Sequence, residues 1–310
     1  MNKYLDFLKK YLSILLKVML TPEDQTLRYT TSDNKKIDLR EDMFDAKIIF
    51  HQYRNQGVVY FDRPITEIKA TSFMSNETLT SVVIPNSVVS IGERAFCVCE
   101  HLIKVVLPNN LRSIEYSTFG GDEELKEIVI PDSVTSVGDY AFQECKRITG
   151  ITMGRNVISI GQKAFWCCTN LTDIQIPDKV TSIGKYAFNA TAITEISIPD
   201  GVISLEEGAF RYCRKLRTLT IGKNVTSIDI GTFDDCESLA KIYCKAAIPP
   251  KAYCNRAYPG PFHIYNYGLE KEVPSIGLKL YVPRASVKSY ETADFWKDYP
   301  FILSPYDFKK

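Results

Sequence analysis

Apolar residues recur along this chain at a fixed interval of 23 positions from Leu79 to Leu239. The unit that starts at Leu79 reads LTSVVIPNSVVSIGERAFCVCEH, and the unit that starts at Leu125 reads LKEIVIPDSVTSVGDYAFQECKR. One phenylalanine marks the register of each unit: Phe96, Phe119, Phe142, Phe165, Phe188, Phe210 and Phe233. The step is 23 throughout, except that Phe210 follows Phe188 by 22 because one residue is missing after Asn189. A fixed period in this range predicts one supersecondary unit stacked many times, with function on an extended surface.

Within one unit the pattern changes from strand to turn. If the first Leu is position 0, apolar residues at positions 3 and 5, such as Val82 and Ile84, predict a strand with one buried face. A Pro followed by Asn or Asp then predicts that the strand ends in a turn. The later Ala-Phe pair predicts a short helical turn whose ring fills the core between layers. Because one unit cannot bury these residues alone, stacked neighbours must complete the core.

The shared pattern, LxxIxIPxxVxxIGxxAFxxCxxL, resembles the BspA-like leucine-rich repeat family over about residues 58–239. The resemblance implies a right-handed leucine-rich-repeat solenoid of about eight repeats, with a parallel β-sheet on one face and short turns or helical turns on the other. The segments 26–68 and 278–299 resemble the extended opening segment and the terminal strand plus capping helix of such arrays.

The same reading divides the chain into five segments. Residues 1–22 are predicted to form an amphipathic helix, and residues 23–57 an extended lead-in. The repeat array covers 58–244, a Pro- and aromatic-rich insertion covers 245–277, and a capping strand and helix cover 278–310. Three roles remain open for the helix: a cap on the exposed end of the solenoid, docking on a partner or a sister chain, and membrane association or a degenerate signal.

Composition and charge remove several classes of function. Lys and Arg number 38 and Asp and Glu 37, so the net charge of +1 gives no electrostatic case for a nucleic-acid partner. No apolar run reaches the roughly 20 residues of a transmembrane helix. A signal peptide is weakly supported, because Lys17 interrupts the apolar stretch near the N terminus and no small-residue cleavage site follows.

Nine cysteines give a further indication of the compartment. Five of them hold one position of the repeat: Cys99, Cys145, Cys168, Cys213 and Cys236. Side chains at one position of stacked units point the same way, so we predict free, buried thiols rather than disulfides. Such a column fits a reducing compartment, whereas the family resemblance suggests the cell surface or secretion, and localisation therefore stays open.

A search for catalytic chemistry finds little. Three histidines are present, and Cys244, Cys254 and His263 in the insertion match no metal-ligand spacing. No glycine-rich phosphate loop is present. We therefore predict no enzyme, no cofactor and no metal site, and the remote alternative is an enzyme with its site in the 245–277 loop.

Positions 2 and 4 of each unit point away from the core and form two columns on the predicted sheet. At about 4.8 Å per strand, eight strands present a surface of roughly 35–40 Å, which suits an extended protein partner. The predicted contacts are Val83, Val106, Val129, Gln175, Tyr243, Glu127, Asp173 and Glu195. A secondary candidate is the loop set of Tyr253, Tyr258, Phe262, Tyr265 and Tyr267. The alternative reading of the valines is plain β-propensity on an exposed sheet.

Two functions follow from these observations. The first is a non-catalytic protein-recognition module, for which the family resemblance implies bacterial surface or secreted proteins, some of them adhesive to host matrix proteins. The second is an intracellular scaffold of the same fold, which the cysteine column favours.

Overall fold

The computed structural model describes residues 21–254, 260–266, 271–274 and 277–308, together with the single positions 9, 12, 13 and 16. Those four positions are helical. The rest of the predicted N-terminal helix lies outside the described residues, as do Tyr258 and Tyr267 and the side chain of Tyr265.

The chain opens with three antiparallel strands: β1 (Thr26–Thr31), β2 (Ile48–Tyr53) and β3 (Gly57–Phe61). Strand β1 lies between β3 and the first long strand of the array. Gly57 allows this packing, because a Cβ at that position would lie 2.1 Å from the ring of Tyr29. The lead-in is therefore a small antiparallel sheet in the spatial order β1-β3-β2, and residue 58, predicted to begin the array, lies in it.

The array uses two short strands in each coil, and they build two parallel ladders. In chain order these strands are β4 (Glu67–Ile68), β5 (Leu79–Val83), β6 (Ser90–Ile91), β7 (Lys104–Val106), β8 (Ser113–Ile114), β9 (Glu127–Val129), β10 (Ser136–Val137), β11 (Gly150–Thr152), β12 (Ser159–Ile160), β13 (Asp173–Ile174), β14 (Ser182–Ile183), β15 (Glu195–Ser197), β16 (Ser204–Leu205), β17 (Thr218–Ile221), β18 (Ser227–Ile228), β19 (Lys241–Cys244) and β20 (Lys251–Ala252). Among these, the odd-numbered strands from β5 onward form the main sheet, and the even-numbered strands form the second ladder, whose paired stretches are β4–β6, β8–β14 and β16–β20. This is the predicted parallel solenoid.

A column of stacked phenylalanine rings fills the core between the ladders. Consecutive ring centroids are 5.0 to 5.6 Å apart, and the ring planes differ by 3 to 18°. Phe73 precedes the series identified in the sequence, and Phe262 extends it past Phe233. The column therefore has nine rings among the described residues, and the array is longer than the eight repeats predicted.

The turns around the first eight of these rings, Phe73 to Phe233, are not helical, because each contains two residues in the left-handed region. In the unit that contains Phe96 these are Arg94 and Val98, two positions before and after the ring, with φ of 54° and 60°. The alternation aims the N–H groups of Arg94, Phe96 and Val98 at carbonyl groups of the next coil, at 2.9, 3.0 and 2.8 Å. These hydrogen bonds between coils stabilise a backbone conformation that a non-glycine residue otherwise rarely adopts.

The unit that contains Phe188 is one residue short, and both ladders are interrupted after it. The structure locates the deletion between Thr191 and Ile193, since Thr191 takes the place of the recurrent cysteine. The main sheet stops at β13 and resumes at β15, and the second ladder stops at β14 and resumes at β16. The phenylalanine column continues, because the rings of Phe188 and Phe210 stay 5.2 Å apart and the Phe188 N–H donates to Ala209 at 2.8 Å. We call the break between β13 and β15 the seam.

The C-terminal part closes the array with β21 (His263–Asn266), β22 (Lys271–Pro274), β23 (Lys279–Pro283), α1 (Val287–Thr292) and β24 (Ile302–Tyr306). Strands β23 and β24 extend the main sheet in parallel. The predicted insertion is partly continuous with the array, since β20 pairs with β18 and Trp296 Nε1 donates to Pro250 O at 2.6 Å. Strands β21 and β22 form the antiparallel excursion from it.

Candidate interaction surface on the main sheet

The outward side chains of the main sheet stand in register. Val83 pairs with Val106, and Val129 pairs with Thr152, on neighbouring parallel strands. The three valines expose 43%, 40% and 62% of their surface. We call Val83, Val106 and Val129 the valine patch, and it occupies one end of the sheet as the sequence indicated.

The valine patch is bordered by the lead-in. Arg28 of β1 lies directly opposite Val83 in the antiparallel pair, so the two side chains share one face. A cleft of about 470 Å³ runs along this border, and its walls include Glu23, Asp24, Val83 and Val106. The patch therefore combines an apolar floor with a charged rim.

The middle of the sheet is acidic. Glu127, Asp173 and Glu195 are exposed, and they follow one another along the position 2 column, with Gly150 between the first two. At the seam a cleft of about 400 Å³ opens, and its walls carry Asp173, Gln175, Asp178 and Glu195. Among the described residues that line this cleft there is no Lys or Arg. The cleft at the seam thus presents negative charge beside the unpaired edges of β13 and β15.

Asp178 shows how the seam changes local pairing. Asp132 and Asp200 occupy the same position in other coils, and each accepts the backbone N–H of the next coil, from Arg155 at 2.9 Å and Lys223 at 3.0 Å. Those bonds lower the pKa of both carboxyl groups. No equivalent hydrogen bond or ion pair to Asp178 is found within the described chain. Asp178 is exposed and lines the cleft.

The far end of the sheet is aromatic. Tyr243 stacks on Tyr281 with centroids 4.6 Å apart, and Tyr306 meets Tyr243 edge to face at 5.1 Å. A cleft of about 470 Å³ beside them is lined by Tyr243, Tyr306 and Phe308 together with Thr218 and Lys245. Sequence reasoning found Tyr243 but missed Tyr281 and Tyr306. The signal for Tyr281 was available, because the apolar neighbours in LKLYVP alternate and predict an outward Tyr.

Phe262 was predicted to belong to a secondary binding surface in the insertion, and that prediction was wrong. Its side chain is only 1% exposed and stacks on Phe233 at 5.3 Å, so it belongs to the core. Tyr253 is exposed, and the ammonium of Lys251 lies 4.5 Å from its ring centroid. Tyr253 is thus the member of that set with a described, accessible side chain.

The cysteine column has a structural role. Each of its five thiols donates to the carbonyl of the phenylalanine 25 or 26 residues earlier, at 3.1 to 3.3 Å. Burial raises the pKa of Cys99 and Cys168 well above the usual range, so these thiols stay protonated. All nine cysteines are free. They act as small buried donors between coils.

The described part of the chain contains no group of three or more His, Cys, Asp or Glu side chains that could hold a metal ion. None of its helices has the length and hydropathy needed to span a bilayer.

Fold and surface together define a leucine-rich-repeat solenoid. The family model described as BspA type Leucine rich repeat region matches residues 66–190 and 159–250, with six copies of the repeat. The chain belongs to this family. None of the curated proteins compared with it gives a match.

Several solved bacterial structures are similar. A leucine-rich repeat protein of T. pallidum is 30% identical, with a TM-score of 0.42, and the match covers 57% of this chain and 73% of that one. A leucine-rich repeat protein of Bacteroides ovatus is 20% identical over 82% of this chain and 80% of its own, with a TM-score of 0.40. The pneumococcal vaccine antigen PcpA is 16% identical over 78% and 77%, with a TM-score of 0.39.

Proposed function

We propose that the chain is a non-catalytic protein-recognition module that binds an extended protein partner across the main sheet. The observation that carries the proposal is the in-register surface itself. It runs from the valine patch through Glu127, Asp173 and Glu195 to the tyrosines around Tyr243. Apolar, acidic and aromatic groups on one continuous face are suited to a partner that offers complementary groups along its length.

The rigidity of the array supports this function. Most outward side chains stand on strands that pair on both sides, those next to the seam pair on one side, and a close-packed core lies beneath them all. Binding therefore orders few groups on this side of the interface, and the entropic cost of association is reduced. A standard interface buries about 800 Å² on each partner, and ten strands of this sheet offer ample area.

A second candidate is an intracellular scaffold that uses the same surface. The nine free cysteines favour it, since a reducing compartment keeps thiols in this state. Family membership favours the surface-exposed, adhesive alternative. The two candidates differ in compartment and partner, and they share the proposed binding face.

The test is affinity capture by the full chain from surface and interior fractions of the native host. Three forms are compared: the unmodified chain, Val106→Glu and Glu195→Lys. Ile158→Glu is the matched control, because Ile158 is an equally exposed apolar residue beside the second ladder. A partner lost from both sheet variants but kept by Ile158→Glu supports the proposal, and an at least tenfold rise in Kd is expected for each purified sheet variant.

A partner that is retained by both sheet variants would move the binding site away from the main sheet. The fraction that supplies the partner separates the two candidates. A surface protein supports the adhesive role, and an interior protein supports the scaffold.

A further inference from the structure

We propose that the chain's own N-terminal segment, residues 1–20, docks on the valine patch and covers it in the free protein. The patch is then a self-docking surface, and a partner must displace the segment to reach it. Only this last consequence rests on the proposed function.

The valine patch differs from the other exposed apolar residues of the array. Ile158 and Ile203, beside the second ladder, are exposed singly, with Thr181 in the coil between them. Val83, Val106 and Val129 are instead consecutive in register and share the face with the cleft at the lead-in. A contiguous apolar row of this kind, with a polar rim, is typical of an interaction site, whereas scattered single residues need no explanation.

The described chain enters the fold at the rim of this patch. Residues 23–25 form a short 3-10 turn, and Ser87 Oγ donates to Asp24 O at 2.7 Å. Glu23 and Asp24 thus line the same cleft as Val83 and Val106. A segment that ends at residue 20 therefore starts only a few residues from the patch.

The N-terminal segment has a complementary surface. Leu5, Leu8, Leu12, Leu15, Leu16 and Met19 fall on one side at helical spacing. Leu12 and Leu16 are among the described helical positions, and they expose 54% and 55% of their surface. The helix thus has apolar residues that the array does not bury, and the array has an apolar row without a cover.

Charge complementarity points to the same pairing. The segment contains four lysines, at positions 3, 9, 10 and 17, and a single acidic residue, Asp6. The rim of the patch carries Glu23 and Asp24, and Glu127 is exposed beside Val129. If the apolar side faces the patch, Lys9 lies at its border and would meet these carboxylates, whereas Lys3, Lys10 and Lys17 lie on the opposite side at helical spacing.

Length and tethering favour the chain's own segment over a second copy. Three adjacent strands span about 10 Å from first to third, and a helix of 20 residues is about 30 Å long. A short tether gives an effective concentration on the order of millimolar. At micromolar protein concentration, a weak contact with the three valines therefore forms within one molecule in preference to a contact between two molecules.

Disulfide trapping in the full chain tests this inference without any partner. In a Cys254→Ser background, which removes the exposed native thiol, Leu16→Cys is combined with Val106→Cys. The control combines Leu16→Cys with Ile203→Cys, because Ile203 is similarly exposed beside the second ladder. We expect a disulfide within the monomer to form at least tenfold faster in the Val106 pair than in the control.

A second variant separates docking from random collision of a tethered segment. Adding Leu12→Glu to the Val106 pair should slow trapping to the control rate and leave the melting temperature unchanged. Equal rates in both pairs would overturn the inference, and so would disulfide-linked dimers, which would identify a second copy as the occupant. Failure of the trap leaves partner binding on the main sheet untouched. If both proposals hold, Leu12→Glu in the otherwise unmodified chain raises partner affinity.

Discussion

Asp122 occupies the position that holds cysteine in five other coils, and it is fully buried. Its Oδ1 accepts the backbone N–H of Cys99 at 2.8 Å, while Oδ2 has no partner among the described residues. Burial raises the pKa of this carboxyl well above its ordinary value, and the hydrogen bond from Cys99 offsets the effect only in part. We therefore predict that Asp122 is a neutral acid that destabilises the array as it ionises.

The sign of the pH dependence follows from linkage. An Asp in the unfolded chain has a pKa of about 3.9, and the folded state holds the proton to a higher pH. Between the two values the folded state binds more protons, so the free energy of unfolding falls as pH rises, by about 1.4 kcal/mol per pH unit. Asp122→Asn keeps the acceptor for Cys99 and removes the ionisable group. The difference between variant and wild type should therefore grow as the pH rises above about 4.

The effect of Asp122→Cys can be worked from the same contacts. Removing a buried polar group that lacks a full set of partners gains about 1–3 kcal/mol, and losing the Cys99 bond costs about 0.5–1.5 kcal/mol. The loss is at the low end because the Cys99 N–H also reaches Phe96 O at 3.3 Å. We expect a net gain of about 1 kcal/mol at pH 5, with an increase toward pH 8.

Urea unfolding of the full chain at several pH values between 5 and 8 measures these differences. Asp132→Asn is the control that should show no slope in this range. Asp132 is exposed, and the backbone N–H of Arg155 lowers its pKa from the ordinary value, so its contribution is lost only as the pH falls below about 4. A stability difference for Asp122→Asn that stays constant from pH 5 to pH 8 would refute the reasoning, since it would mean that the carboxyl does not titrate in this range.

The remaining predictions concern the core, the seam and the lead-in. Phe142→Ala should lower the free energy of unfolding by about 3–5 kcal/mol by creating a cavity in mid-column, and an unchanged urea midpoint would contradict the core assignment. One Gly inserted between Thr191 and Ile193 should restore the regular period, and we then expect slower hydrogen exchange in β13 and β15. Unchanged exchange would mean that the deletion does not cause the seam. Burial lowers the pKa of His51 to about 4. The lead-in should therefore lose stability as pH falls from about 6.5 toward 4, and His51→Phe should remove that dependence when exchange in β2 is followed.

The repeat pattern predicted what the coils share. The phenylalanine register, the alternating strand positions and the outward columns all follow from a period that neighbouring units repeat, because each unit supplies its neighbour with the same environment. The free cysteines were predictable for the same reason. Their hydrogen bonds to the phenylalanine carbonyls were not, since a spacing of 26 residues joins one coil to the one before it.

The parts that the sequence did not predict depend on contacts between unlike segments. Arg94 and Val98 adopt left-handed backbone conformations although neither is a glycine, so the sequence does not mark this turn. Hydrogen bonds to the next coil impose the conformation. Phe262 lies in the insertion, where the repeat pattern is lost from the sequence. Its place in the phenylalanine column is seen only from its stacking on Phe233 in the structure. Tyr281 and Tyr306 come together with Tyr243 because the cap adds two strands to the main sheet.

The seam shows why a one-residue deletion interrupts the strand ladders and leaves the phenylalanine turn intact. The missing residue lies between Thr191 and Ile193, on the path from the phenylalanine turn to the next main-sheet strand. The turn precedes the deletion, so the N–H of Ala190 still donates to Arg211 O at 2.8 Å. Strand β15 follows the deletion, and the shortened path leaves it out of the ladder with β13. The shorter coil thus interrupts both ladders, while the phenylalanine column stays continuous. The acidic cleft lies at this break, because Asp173 and Glu195 stand on the two strands that do not pair and Asp178 lies beside them.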